Sequence, residues 1–281
     1  MKSTFFLTVS GIAFFGIMTT NAQINLNDRV TSALQNGIAS FTFSDSDATK
    51  MAMIAVGKLD TESKVAGSKD PYTIRLEKIF GKHKNENGLD LNYKVYLVKE
   101  VNAFATADGS VRVFSGLMDI MDDNELLAVI GHEIGHVVNH DSRDAIKAAY
   151  QKEALINAAA SQSENIAALT DGQMGKIVSS LIDRKYNRKQ ESDADLYSYE
   201  FLKRNGYNVN AEEAAFNLLA KRSEGNPANF LDKMMSSHPD AKERAENAKK
   251  RAHVDGLYQP YTKGIAKTIA KKPTKNKKSK K

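Results

Sequence analysis

Gly131-His132-Glu133-Ile134-Gly135-His136 lies near the middle of a 281-residue chain, and its reading decides the rest. Asp122, Asp123 and Asn124 stand just before it as N-cap candidates, with acidic groups suited to the positive end of a helix dipole. Leu126, Leu127, Val129, Ile130, Ile134, Val137 and Val138 surround the motif, so the pattern predicts one continuous helix buried on more than one side. In such a helix His132 and His136 fall about 40° apart on one face, one turn apart in height. Their ring nitrogens can then converge on a single cation at about 2.0–2.1 Å each. Glu133 sits about 100° round from His132, badly placed as a third ligand but within reach of water at an open position. Histidine and glutamate are costly to bury in apolar surroundings unless they are paired or hold a metal. Two ligands, a base and an open position are what a metal-dependent hydrolase needs.

A third donor is required, and His140, Glu153, Glu164, Glu191, Asp193, Asp195 and His238 are the candidates downstream. His140 lies about 6 Å beyond His136 in rise, too far to share an ion with both histidines. Glu191-Ser192-Asp193-Ala194-Asp195 is more promising, because Glu191 and Asp195 are spaced i, i+4 on one helical face. The first can bind the ion while the second accepts the free ring N–H of a liganding histidine. Ala194 between them is small enough to let two helices approach closely. An isolated acidic cluster would be a solvated face; beside this helix, Glu191 is the expected ligand.

The flanking segments supply a mainly helical α+β chain. Residues 48–56, 72–82, 145–169, 172–185, 190–204, 211–222, 230–235 and 241–251 have helical spacing. Residues 92–98, 102–107 and 110–114 alternate as short strands, with Asp108-Gly109 as the turn between the last two. They predict a small antiparallel sheet just before the motif helix, one edge of which can pair with an extended peptide. The Lys- and Asn-rich stretch after residue 82 is expected to be a loop.

Lys2, the uncharged run 5–18 and Thr19-Thr20-Asn21-Ala22 have the form of a signal peptide, cut after Ala22. The expected organisation is a signal peptide at 1–22, one catalytic domain at 23–262, and a lysine-rich tail at 263–281. The chain has no cysteine, which excludes disulfides, thiol nucleophiles and thiolate metal sites. Nine lysines and no acid fall within 263–281, and without them the net charge drops from +6 to −3. A mildly acidic body therefore carries a basic tail, which can touch an anionic envelope surface. The body carries no nucleic-acid motif. After signal cleavage the protein is expected to be exported and soluble, in the periplasm or outside the cell.

The stretch 132–140, then Tyr186-Asn187-Arg188-Lys189-Gln190-Glu191 running into Ala194-Asp195, then His238-Pro239 followed by Arg244, together resemble the gluzincin family of the HtpX heat-shock protease and the CAAX prenyl proteases. The motifs keep the family's order from about residue 72 to 250. The resemblance implies a zincin-like metallopeptidase with one Zn2+ per chain on His132, His136 and Glu191, and Glu133 as general base. It implies that His238 lies near the metal and steadies the tetrahedral intermediate, and that Arg244 orients that loop. Asn102, Ala103 and Phe104 resemble the family's strand above the zinc. Membrane-spanning helices, present in membrane members, are missing here, so prenylated-peptide chemistry is not expected. The implied activity is hydrolysis of peptide bonds in unfolded or misassembled envelope proteins. The rival expectation is a chaperone-like assembly factor that keeps zinc for structure alone, a role that does not require Glu133.

Overall fold

A computed structural model describes residues 44–160, 171–225 and 232–264. The signal-peptide expectation, the lysine tail beyond residue 264 and residues 161–169 of the expected 145–169 helix lie outside the described residues.

The first described helix, α1 (Asp45–Glu62), is longer than the spacing of its apolar residues suggests, and a capping box starts it. The Asp47 backbone N–H donates to Ser44 Oγ at 3.2 Å, and the Ser44 N–H returns a bond to the Asp47 carboxylate at 2.9 Å. Helix α2 (Pro71–Phe80) opens with proline at a position where no intrahelical N–H is needed, capped by Asp70. The stretch expected to be a loop instead forms a hairpin, β1 (Asn85–Glu86) with β2 (Leu89–Asp90). Asn87 and Gly88 turn it with φ of 52° and 77°, the double positive φ that an Asn-Gly turn adopts.

Strands β3 (Asn92–Tyr96), β4 (Ala103–Ala105) and β5 (Ser110–Phe114) form one sheet in the order β3-β5-β4. β4 pairs antiparallel with β5 through the Gly109 turn, as expected, but β3 pairs parallel with β5. The sheet is therefore mixed rather than antiparallel. Residues 97–102 contain no glycine and no two-residue turn signal, so β4 cannot fold straight back on β3. β4 is left as an edge beside the motif helix.

Then come helices α3 (Ser115–Ile120), α4 (Asp123–Val138), α5 (Asp141–Ala160), α6 (Asp171–Ile182), α7 (Arg188–Arg204), α8 (Asn210–Gly225), α9 (Asp232–Ser237) and α10 (Ala241–Val254). Helix α4 carries the motif, and every residue from Asn124 to Val137 is buried. It lies between α7 and α8 on one side and the edge of β4 on the other. One core gathers Phe80, Leu117, Leu126, Ile130, Ile134, Phe201 and Phe216 around α4. A second joins α1 to the sheet, α5 and α6 through Met51, Tyr96, Phe104, Phe114, Ile146 and Leu181. No helix among the described residues is long and apolar enough to cross a membrane.

Candidate metal centre

Local chemistry places each donor. Asp122 caps α4, accepting from the Asn124 and Glu125 N–H groups, while Glu125 reaches back to the Asp122 N–H at 2.8 Å. Helix α7 starts in the same way, with an Asn187–Gln190 capping box. The two helices then meet along small residues. A Cβ added at Gly135 would lie 2.9 Å from the Ala194 carbonyl oxygen, and one at Gly131 would lie 3.2 Å from Ser198 Oγ. Ser198 Oγ donates to the Ala128 carbonyl at 2.7 Å and locks the crossing. This close approach sets Glu191 and Asp195 opposite His132 and His136.

His132 Nε2 and His136 Nε2 lie 3.1 Å apart. The Glu191 carboxylate stands 3.6 Å from the first and 3.5 Å from the second. His238 Nδ1 lies 3.2 Å from His132 Nε2 and 2.9 Å from Glu191 Oε1. One donor atom from each of these four buried residues falls within 4.8 Å of all the others. An ion bound at about 2.0–2.1 Å by tetrahedral donors requires donor separations of roughly 3.3 Å, and the observed set brackets that value.

The surroundings suit a cation as well. His132 Nδ1 lies 2.9 Å from Asp195 Oδ1, and His136 Nδ1 lies 2.9 Å from Asp141 Oδ2. If each Nδ1–H donates to its carboxylate, both Nε2 lone pairs face the same point, which is repulsive unless a positive charge lies between them. Arg244 Nη2 also approaches His132 Nδ1 at 3.0 Å, but one Nδ1 cannot both donate to Asp195 and accept from Arg244. The shorter charged contact to Asp195 decides the tautomer. Among the described residues neither buried Glu133 carboxylate oxygen has a hydrogen-bond partner, although His238 Nε2 is 3.4 Å away. A buried carboxyl left so signals a missing partner.

Arg244 does more than orient a loop. Nη1 meets Glu191 Oε2 at 2.7 Å, while Nε and Nη2 fork onto Asp195 at 3.0 and 2.6 Å. It therefore clamps the proposed ligand and the carboxylate behind His132 together. Burial alone would raise the Glu191 carboxyl, but the electrostatic pull of the donors facing it, His238, then Arg244 and His132, holds it well below the usual range. At His132, burial and then the Arg244 charge push the imidazole down to about 4, which keeps it neutral. At His136 burial works the same way, but Asp141 and Glu191 outweigh it and raise the ring.

Asn102, Ala103 and Phe104 all lie buried at the β4 edge, and the Asn102 side chain accepts from the Ala103 N–H at 2.9 Å. Three neighbours were not singled out in the sequence. Asp141 follows the motif after a turn at His140, whose φ is 68°, and Gln190 Nε2 holds its second oxygen at 2.9 Å. Tyr186 stacks on the His136 ring at 3.6 Å and 9°. Gly135 makes the helix crossing possible. Asp141, three residues after a buried helix end, and Tyr186, five before Glu191, were legible only as motif flanks.

The sequence profile of peptidase family M48 matches residues 75–252. Metalloprotease YcaL of Escherichia coli is 37% identical over 256 residues, covering 89% of this chain and 98% of that protein. Metalloprotease LoiP of the same organism is 34% identical over 242 residues, covering 86% of this chain and 94% of that protein. A putative beta-barrel assembly-enhancing protease of Vibrio cholerae is 28% identical over 178 residues, covering 59% of this chain but 36% of that protein. The matched region runs through the motif helix, the Glu191 helix and the His238–Arg244 segment, so the chain belongs to peptidase family M48 and is a metalloprotease acting on polypeptides.

Proposed function

We propose that the protein is a zinc endopeptidase that cleaves unfolded or misassembled polypeptides of the cell envelope. The observation that carries this reading is the convergence of His132, His136 and Glu191 beside a buried Glu133 carboxylate with no partner of its own. Histidine nitrogens with one carboxylate suit zinc better than calcium or magnesium, which prefer all-oxygen sites. A zinc ion held there supplies Lewis acidity to water and to the scissile carbonyl.

The protein's own groups do the rest. Glu133 takes the proton from water and passes it to the leaving amine. Asp195 and Asp141 keep the two imidazoles in the tautomer that offers Nε2. His238 occupies the corner that hydrolysis needs for water, so it withdraws during the cycle; close to Glu133, it then steadies the oxyanion. The edge of β4, at Asn102, Ala103 and Phe104, takes the substrate as an added strand.

Residues 1–22 act as a cleaved export signal, and the nine lysines of 263–281 attract anionic envelope surface. The beta-barrel assembly role in the Vibrio cholerae relative's name supports envelope proteins as substrates. A zinc-holding chaperone would leave Glu133 without a task.

The test is zinc quantification paired with proteolysis of an unfolded protein such as reduced casein. Activity should vanish with a chelator and return with zinc. A zinc-free preparation that still cleaves casein at full rate would overturn the assignment.

A further inference from the structure

β4 is the edge of its sheet, and its hydrogen-bonding alternates. Phe114 N–H donates to the Asn102 carbonyl at 3.0 Å, and Thr106 N–H donates to the Ser110 carbonyl at 2.9 Å. Residues 102, 104 and 106 therefore turn their backbone groups toward β5, and Ala103 and Ala105 turn theirs outward. An extended peptide pairing with this edge needs those outward groups. The Ala105 carbonyl is already taken twice, by Arg184 Nη2 at 2.6 Å and by Ser142 Oγ at 3.1 Å. The Ala103 N–H is taken by Asn102 Oδ1.

We propose that Arg184, seconded by Ser142, closes the β4 edge at rest, so that a polypeptide gains the strand only by displacing Arg184 from the Ala105 carbonyl. The proposal rests on the reading of β4 as the substrate edge.

Arg184 belongs to the short connection between α6 and α7, and the same connection covers the metal centre. Two residues on, Tyr186 lies flat on the His136 ring, and its N–H donates to the Ser237 carbonyl at 3.3 Å. The connection thus runs as a strap from the strand edge to the histidines. Beneath it His132, Glu133, His136, Glu191 and His238 are all buried, none more than 7% exposed. A peptide reaches Glu133 only after this cover has moved.

The closure is built to release. Arg112, Arg244 and Arg251 are also largely buried, and each meets a carboxylate. Among the described residues Arg184 meets the Ala105 carbonyl and, at 5.2 Å, the Tyr186 ring, while its Nη1 is buried with no partner. A guanidinium nitrogen kept from water unpaired costs free energy. Opening the strap returns it to solvent, and the incoming peptide supplies an N–H to the carbonyl that Arg184 leaves. Substrate and strap compete for one acceptor.

Binding is read without hydrolysis in zinc-loaded Glu133→Gln protein, using a fluorescein-labelled alternating Thr-Val octapeptide and fluorescence anisotropy. Adding Arg184→Ala removes the competing charged hydrogen bond and should tighten peptide binding by about tenfold. Ser142→Ala, a smaller change to the fold, should tighten it less. The same peptide N-methylated at alternate amides should gain nothing from either change, because it cannot pair. Equal or weaker binding in both folded variants, checked by circular dichroism, would overturn the gate; weaker binding would make Arg184 a substrate-holding residue instead. Zinc content and casein cleavage of the Glu133 protein, measured separately, report on the protease reading itself. Peptide binding that tightens in a protein without zinc or cleavage leaves the gate standing and removes the protease.

Discussion

His238 Nδ1 lies 3.2 Å from His132 Nε2, at the position of a fourth donor to the ion that His132, His136 and Glu191 would share. Four protein donors make a closed site, whereas hydrolysis needs one corner for water. The contact therefore predicts different effects at His238 and Glu191. His238→Ala should retain about one zinc per chain with affinity weakened by at least about tenfold, because three donors remain. Glu191→Ala also leaves three donors, but it removes the anionic one of the four and leaves the Arg244 guanidinium facing the ion, so it should lose most of its zinc under the same dialysis. Chelator competition reads both, and undiminished affinity in His238→Ala would place that ring outside the donor set.

Glu133 offers the cleanest separation of metal binding from chemistry. Its carboxylate touches none of the ring nitrogens at hydrogen-bonding geometry, so Glu133→Gln should leave zinc content unchanged. The amide cannot accept the water proton, and turnover should fall by about 10²–10⁴-fold. Casein cleavage at the parental rate would end the assignment of Glu133 as base.

Arg244 tests whether the clamp matters or only its charge. Its fork spans Asp195 and Glu191 at once, which a lysine ammonium, a single point charge, cannot do. Arg244→Lys should keep the fold by circular dichroism yet weaken zinc binding by about 10–100-fold, the usual effect of disturbing the partners of metal ligands. Unchanged affinity would reduce Arg244 to packing.

Much of this centre was legible in the chain because helical periodicity is strict. The i, i+4 rule put His132 with His136, and Glu191 with Asp195, before any contact was known. Asp195 stands behind His132 as that spacing suggested. What periodicity cannot supply is the meeting of segments far apart in the chain. Nothing local to Arg184 announces that its guanidinium reaches Ala105, or to Arg112 that it crosses to Asp60 on α1. The parallel pairing of β3 with β5 was missed for the same reason, since register across a crossover is set by packing and not by either strand. The Asn87–Gly88 hairpin differs, because its Asn-Gly turn signal is local and stands in the sequence itself.

Asp60 ties α1 to the sheet and gives a stability prediction free of the metal. It accepts from Arg112 Nε and Nη2 at 2.8 and 2.9 Å, from Lys94 at 2.6 Å and from the Tyr96 hydroxyl at 2.7 Å. Burial favours the neutral acid, but these partners win and lower its pKa from 3.8 to about 2. A carboxyl lowered on folding stabilises the fold above its unfolded pKa and ceases to as pH falls through the folded one. This contribution is therefore lost between pH 3.8 and about 2. Asp60→Ala leaves Arg112 buried without its counter-charge and should cost about 3–5 kcal/mol at pH 7. Urea melts should show the difference between parent and variant shrinking as pH is lowered toward 2; a difference independent of pH would refute the ion-pair account.

Gly135 connects the helix crossing to the metal. In an exposed helix, glycine to alanine gains about 1 kcal/mol from propensity alone. Gly57, in the middle of α1, has nothing within 4 Å of a built Cβ, so Gly57→Ala should show that gain. At Gly135 the new methyl would meet the Ala194 carbonyl oxygen at 2.9 Å and its Cα at 3.0 Å, both backbone atoms that cannot rotate aside. Relief requires α7 to move outward, and Glu191 and Asp195 move with it, away from His132 and His136. A shift of a few tenths of an ångström is large against the tolerance of about 0.2 Å on a metal–ligand distance. Gly135→Ala should therefore bind zinc at least about tenfold more weakly while remaining folded, with the apo protein losing less than the zinc-loaded one in thermal melts. Equal zinc affinity in the two proteins would show that α7 can be displaced without moving its carboxylates, and that the glycine serves the helix crossing alone.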